Sequence, residues 1–211
     1  MASAPNTAAT YPPAKTALLL LDYHNIIVDM IQPLEEKDRV VNTANSLLKT
    51  ARESSATIVH CVIDMNAQPA ETSKMRQRWE STYKPLAVSA PERLGLIAEL
   101  APTAKGSSGK EFVVAKMPGC VSAMKTPGFV SSLREKHGVE SVVICGLISS
   151  GAVLSTAREA ADLGFVTTVV EDGCWDYDAG AHSVVMKNIL PMTAYTTDLR
   201  GGLDLLKGSD R

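Results

Sequence analysis

The chain has 211 residues, of which 45% are hydrophobic and 21% charged, and its formal net charge is −2. This is the composition of an ordinary globular domain, without the basic excess that nucleic-acid binding requires. No apolar run reaches the roughly 18 residues of a membrane span. We therefore expect neither a nucleic-acid partner nor a membrane partner.

Residues 1–15 are small, polar and proline-containing, and they lack the apolar segment of a signal peptide. They predict a flexible lead into a single domain over residues 16–207. The four cysteines are widely spaced and form no CxxC pair, which favours free thiols in the cytoplasm over a disulfide framework or a zinc site. These cysteines are Cys61, Cys120, Cys145 and Cys174.

The first half of the chain begins with TALLLLD (16–22), a continuous apolar run that predicts a central parallel strand buried on both faces. EEKDRVVNTANSLLKTARESS (35–55) has helical spacing, and ATIVHCVID (56–64) predicts the second strand. Residues 65–93 are polar and aromatic without clear periodicity, which is typical of a functional loop or lid.

Strand and helix patterns alternate through the rest of the chain. The predicted strands are KEFVVAK (110–116), ESVVICG (140–146), FVTTVVED (165–172) and MTAYTT (192–197). The predicted helices are RLGLIAEL (93–100), PGFVSSLREKHG (127–138), SGAVLSTAREAADLG (150–164), AGAHSVVMKNIL (179–190) and DLRGGLDLLKG (198–208), with a GSSG turn at 106–109.

This alternation predicts a Rossmann-like three-layer sandwich with a central, mostly parallel six-stranded sheet and helices on both faces. In such sheets ligands bind beyond the carboxyl ends of the strands. Asp22, Lys116 and the turn at 146–152 all follow predicted strands, so we expect them to meet in one crevice.

Asp22 and Lys116 form a chemically useful pair, although each alone has a common structural role as a helix cap or a solvated strand end. A lysine beside a buried aspartate keeps the carboxylate ionised, and that carboxylate can then act as a general base. The backbone amides of the 146–152 turn can bind an oxyanion at the start of a helix. The hydroxyls of Ser149 and Ser150 are expected to cap that helix.

Three blocks, LLLLDYHN, VVAK and CGLISSGAVLSTAREAADLGFVTTVVED, resemble the signature segments of the isochorismatase-like cysteine hydrolases. This superfamily includes nicotinamidases, N-carbamoylsarcosine amidohydrolases, ureidoacrylate hydrolases and isochorismatases, and the resemblance covers roughly residues 15–206. The Ser-Gly pair before position 152 is most similar to the N-carbamoylsarcosine branch.

The resemblance implies an Asp-Lys-Cys triad in which Asp22 and Lys116 match and Ala152 stands at the cysteine position. It implies hydrolysis of a C–N bond in a small amide, carbamoyl or ureido substrate, with an oxyanion hole from Ile148, Ser149 and Ala152. It also implies a non-proline cis peptide in the segment 147–149, for which Ile148–Ser149 is the first choice.

Ala152 closes the covalent route, because a methyl group cannot become a thiolate. Two explanations stay open: a cysteine deliberately replaced by alanine, which the intact surrounding block favours, or a natural member that works without a cysteine. In the second case the resemblance implies isochorismatase-type cleavage of a vinyl ether by Asp22, or a non-catalytic binding protein. Cys120, Cys145 and Cys174 do not lie on the helix start that would activate a thiol.

We expect no metal and no cofactor. The segment in which nicotinamidases carry their metal-binding histidine reads DMNAQPAE here, without histidine, which weakens that interpretation. Of the four histidines, His24 is predicted to contact the substrate pocket, and structural roles are expected for His60, His137 and His182.

The predicted pocket wall is mostly aromatic and apolar, and it includes two aromatic residues of the loop 65–93. Arg76 and Arg78 on this loop could meet a substrate carboxylate, although solvated loop charges are the commoner case. The resemblance implies a homo-oligomer, dimer or tetramer, acting on a small molecule. The predicted pocket residues are His24, Trp79, Tyr83, Met117, Ile148 and Trp175.

Overall fold

The computed structural model of the protein describes residues 8–102 and 109–208. Six strands form one sheet in the order β3-β2-β1-β4-β5-β6, and every neighbouring pair is parallel. The predicted Rossmann-like architecture is therefore confirmed, with a sheet that is parallel throughout. The strands are β1 (Thr16–Leu21), β2 (Thr57–Ile63), β3 (Glu111–Lys116), β4 (Ser141–Leu147), β5 (Val166–Trp175) and β6 (Tyr195–Thr197).

β1 lies at the centre of the sheet, and all six of its residues are buried. A strand needs an apolar side chain at every position when helices cover both faces, which explains its uninterrupted leucine run. The chain builds the sheet outward from β1 in one direction and from β4 in the other. The junction between β1 and β4 is thus the topological switch point, where such sheets bind ligands.

The helices cover the two faces of the sheet. α2 and α8 pack side by side against β5 on one face, and α6 packs against β5 in the other layer. The α-helices are α1 (Asn25–Val28), α2 (Leu34–Ser54), α3 (Met75–Arg78), α4 (Lys84–Ser89), α5 (Phe129–Ser131), α6 (Leu154–Asp162), α7 (Ala179–Val184) and α8 (Leu199–Lys207).

The segment 65–93 differs from its prediction as an irregular loop. α3 continues through a π-helical turn (Trp79–Tyr83) into α4, which makes residues 75–89 one helical stretch. Only Trp79 on this stretch is fully buried, so the sequence lacks the apolar periodicity that reveals a core-facing helix. The predicted helix at 93–100 is also wrong, since that segment holds two short 3-10 turns (Pro91–Leu94 and Ala98–Leu100).

The other predicted strands and helices form at their expected places, with ends shifted by a few residues. The predicted GSSG turn at 106–109 lies almost wholly outside the described residues. In the two described ranges, no helix combines the length and the apolar character that crossing a membrane requires.

Candidate active site

Asp22 is the first residue after β1, at the switch point of the sheet. Its backbone N–H donates to the Cys61 carbonyl at 2.9 Å, and its φ of 54° is left-handed. The neighbouring strand allows this close turn because Gly146 lies beside Leu21, where a Cβ would come within 2.5 Å of the Leu21 side chain. The chain therefore turns sharply here and directs the carboxylate into the sheet edge.

Lys116 ends β3 and reaches across β2 to Asp22. Its Nζ donates to Asp22 Oδ2 at 2.5 Å, and the two side chains are only 2% and 7% exposed. A second, weaker contact joins Nζ to the Val121 carbonyl at 3.5 Å. Asp22 Oδ1 is buried and has no hydrogen-bond partner among the described residues. The pair thus leaves one carboxylate oxygen free for chemistry.

His24 has a structural position behind this pair. Its Nδ1–H donates to the Leu94 carbonyl at 2.6 Å, and its Nε2 accepts from the Ile63 amide at 3.2 Å. Both contacts require a neutral ring, and burial lowers the pKa of His24 accordingly. Nε2 also lies 3.9 Å from Asp22 Oδ1. The ring therefore ties the strand ends together and is not part of the cavity lining, where the sequence had placed it.

The turn after β4 holds the residues that were predicted to form an oxyanion hole. The non-proline cis peptide joins Leu147 to Ile148, one bond before the predicted position. The Ser150 amide donates to Asp176 Oδ2 at 2.7 Å, and the Gly151 amide donates to the Ile148 carbonyl at 3.1 Å. In the described parts of the chain, no bond from outside the helix engages the amides of the three predicted donors. These donors are Ile148, Ser149 and Ala152.

The hydroxyls of Ser149 and Ser150 do not cap the helix, contrary to expectation. Ser149 is fully buried, and its Oγ donates to the Trp175 carbonyl at 3.2 Å. The same Oγ lies 2.7 Å from His182 Nδ1. Because the hydroxyl proton is used on Trp175, we infer that the ring donates to Oγ. Ser149 therefore anchors the turn from behind.

A cavity of about 220 Å³ opens at this edge of the sheet. Asp22 and Lys116 line it together with Ala152, whose methyl group stands at the beginning of the helix that continues as α6. Its wall is mainly apolar, with one arginine and two tyrosines. The further lining residues are Ile27, Ile63, Met75, Arg78, Tyr83, Met117, Gly119, Cys120, Val121, Leu147, Ile148, Gly151 and Tyr177.

Three of the six predicted pocket residues, Tyr83, Met117 and Ile148, line this cavity. Trp79 does not, because it is 4% exposed and packs inward against Tyr83 at a ring distance of 5.8 Å. Trp175 also lies outside the lining and meets Tyr177 edge-on at 5.0 Å.

Met75, Ile63 and Tyr177 line the cavity without having been predicted from the sequence. Ile63 ends β2 and Tyr177 follows β5, so the strand-end rule that selected Asp22 and Lys116 would also have found them.

The remaining cysteines differ in their access to the cavity. Cys145 and Cys174 are buried in the sheet, and burial raises the pKa of Cys145 to about 12. Both thiols therefore stay protonated and are poor nucleophiles. Cys120 lines the cavity, with its thiol donating to the Ser122 carbonyl at 3.7 Å. Within residues 8–102 and 109–208, no three His, Cys, Asp or Glu side chains are grouped so that they could hold a metal ion.

The site lies at the switch point of a parallel sheet. It combines a buried aspartate–lysine pair with a turn whose backbone amides can bind an oxyanion, an arrangement typical of a hydrolase. The chain belongs to the isochorismatase family, because the isochorismatase domain matches residues 16–200. It is 27% identical over 182 residues to the uncharacterised isochorismatase family protein YecD of Escherichia coli O157:H7, covering 85% of this chain and 89% of that protein.

The chain also resembles a named hydrolase. It is 28% identical over 169 residues to a streptothricin hydrolase of Streptomyces noursei, covering 78% of this chain but only about half (51%) of that protein.

Solved structures share the fold. A cysteine hydrolase from Pseudomonas syringae pv. phaseolicola superposes with a TM-score of 0.77 at 17% identity, covering 97% of this chain and 98% of that one. N-carbamoylsarcosine amidase from Thermoplasma acidophilum superposes with a TM-score of 0.65 at 20% identity, covering 88% and 96%. At these identities the likeness concerns the fold alone.

Proposed function

We propose that the cavity is the substrate site of a hydrolase that cleaves the C–N bond of a small amide, carbamoyl or ureido compound. The observation that carries the proposal is the meeting of Asp22, Lys116 and the Ala152 methyl group in one cavity lining. Membership of the isochorismatase family and the resemblance to a streptothricin hydrolase support the assignment as a hydrolase. As it stands, the chain would bind substrate without forming an acyl-enzyme.

With cysteine at position 152, each group would have a defined role. Asp22 Oδ1, which has no partner in the described structure, would take the thiol proton, and the thiolate would attack the carbonyl carbon. Amides of the 148–152 turn would hold the oxyanion while Lys116 keeps Asp22 ionised. The amine would leave with the proton held by Asp22, and water would then cleave the thioester, releasing the acid and restoring the thiol.

The test restores the missing sulfur. Ala152→Cys is expected to release ammonia or amine from a panel of primary amides and N-carbamoyl amino acids, and intact-mass spectrometry should show an acylated protein. Ser150→Cys is the matched control, because it places a thiol on the same turn outside the cavity lining. Combining Ala152→Cys with Asp22→Asn should abolish the gain. Absence of both product and adduct in Ala152→Cys would contradict the proposal.

A second candidate follows from the free Asp22 oxygen and the absence of a nucleophile at Ala152. A protonated Asp22 would donate a proton to the double bond of a vinyl ether, and water would add to the resulting cation before the hemiketal collapses to a ketone and an alcohol. The Lys116 ammonium at 2.5 Å stabilises the carboxylate form, which suits a base better than an acid, so this candidate ranks second.

Isochorismate distinguishes the two candidates. Pyruvate release by the chain itself, lost in Asp22→Asn, would establish the second one. If neither activity appears in any variant while small carbonyl compounds still bind, the chain is a binding protein.

We also propose that the chain forms a homo-oligomer. Met117, Val121 and Tyr177 at the cavity mouth are large apolar side chains exposed by 58%, 47% and 51%, and a second copy could cover them. Light scattering in solution measures the assembly, and a monomeric mass would contradict the proposal.

A further inference from the structure

Arg78 is a cation in the cavity lining. It lies at the end of α3 with an exposed side chain, and among the described residues no carboxylate oxygen comes within 4.0 Å of it. Its helical neighbour Arg76 differs, since Arg76 binds Glu80 at 3.0 Å and the Pro69 carbonyl at 3.0 Å. Glu80 is further shared with Lys84, at 3.1 Å. The acidic side chain closest in sequence is thus engaged elsewhere.

The charges of the cavity lining do not cancel. Asp22 and Lys116 neutralise each other at 2.5 Å, and the other ionised side chain in the lining is Arg78. The cavity therefore has one surplus positive charge within the described lining. A guanidinium binds carboxylates through two parallel N–H bonds, which gives both attraction and orientation.

Two tyrosines accompany this arginine. The Arg78 guanidinium lies 5.6 Å from the ring centre of Tyr83, and both Tyr83 and Tyr177 line the cavity. Partial burial raises the pKa of Tyr177, so its hydroxyl is a hydrogen-bond donor near neutral pH.

From these contacts we propose that the natural substrate is a small monoanion, with a carboxylate held by Arg78 and the carbonyl to be cleaved placed toward Asp22 and Ala152. This proposal rests on the proposed function and specifies its substrate class: amides, carbamoyl or ureido compounds that also carry a carboxylate. A cavity of about 220 Å³ suits a compact molecule.

Pairs of amides that differ only in charge test the proposal. Succinamate and succinamide have the same number of non-hydrogen atoms, but only the first has a carboxylate; malonamate and malonamide form a shorter pair. Dissociation constants are measured by calorimetry or ligand-observed NMR at low salt. We expect the better-fitting anionic amide to bind at least about tenfold more tightly than its neutral partner.

Variants on α3 assign that preference to one side chain. Arg78→Gln is expected to remove the preference, so that each anionic amide binds no more tightly than its neutral partner, and Arg78→Lys should keep only part of the preference. Arg76→Gln is the matched control, because it removes the same charge from the same helix outside the cavity lining, and the preference should persist. Circular dichroism of each variant verifies that the helix is retained.

The outcomes separate this proposal from the hydrolase function. Equal binding of both members of each pair, no binding of any anionic amide at millimolar concentration, or a preference that survives Arg78→Gln would overturn the anion site. A preference that depends on Arg78, in a protein whose Ala152→Cys form hydrolyses nothing, would support the anion site and contradict the hydrolase.

Discussion

Lys116→Met tests whether the buried ion pair between Lys116 and Asp22 stabilises the folded protein. Methionine has a similar length and shape but no charge, so the change removes the ammonium without opening a large cavity. The Asp22 carboxylate would then remain 7% exposed, with Oδ2 deprived of its 2.5 Å partner and Oδ1 still without a partner in the described ranges. Breaking a buried pair in this way costs about 3–5 kcal/mol of the free energy of unfolding.

Asp22→Asn combined with Lys116→Met completes a double-mutant cycle. With both charges gone, no isolated ion remains buried, and we expect the double variant to be more stable than Lys116→Met alone. The coupling free energy should reach about 2 kcal/mol or more. Urea denaturation at neutral pH, followed by circular dichroism and fluorescence, measures all four proteins.

The reasoning would be refuted if Lys116→Met cost less than about 1 kcal/mol, or if its cost were the same with and without Asp22.

Three further changes test the framework around the site. Burial lowers the pKa of His24 from its usual 6.5, so the unfolded chain binds more protons than the folded one. The free energy of unfolding should therefore be highest above pH 6.5 and should fall as the pH drops below that value. Denaturant titrations across this range should show a less steep fall for His24→Gln. Gly146→Ala should cost about 3 kcal/mol, because the new Cβ would lie 2.5 Å from existing atoms, whereas Gly138→Ala has open space and should cost about 1 kcal/mol. Equal losses of the free energy of unfolding would contradict the packing argument. Ser149→Ala removes a buried hydroxyl with two contacts and should lower the free energy of unfolding by about 1–3 kcal/mol. Ser150 is exposed, so Ser150→Ala should leave the free energy of unfolding nearly unchanged. Thermal unfolding compares the two variants, and a larger loss in Ser150→Ala would be inconsistent with the anchoring role of Ser149.

The site pair and the sheet were predictable because both follow from local pattern. A strand covered on both faces must be apolar at every position, so the leucine run of β1 specifies its central place. Asp22 and Lys116 interrupt two such strands at their carboxyl ends, and parallel strands bring those ends to the same edge. The alanine at position 152, where the resemblance implies a cysteine, was likewise visible in the turn sequence, since it depends on one residue type at one position.

The details of the cavity wall depend on contacts between distant segments, which no local pattern records. Trp79 and Tyr83 are both aromatic residues of one segment, yet only Tyr83 lines the cavity, because the helix 75–89 turns Trp79 inward. The neutral ring of His24 is fixed by Leu94 and Ile63, from two other parts of the chain.

Arg76 and Arg78, two positions apart, show the same difference between what the sequence predicts and what the tertiary contacts decide. The sequence by itself determined that both are cations on a polar segment near the sheet edge. Only the tertiary structure decided that Glu80 pairs with Arg76, whereas Arg78 lines the cavity without a carboxylate partner among the described residues. The physical reason is that an ion pair depends on distances of a few ångströms between side chains, which are set only when the chain folds.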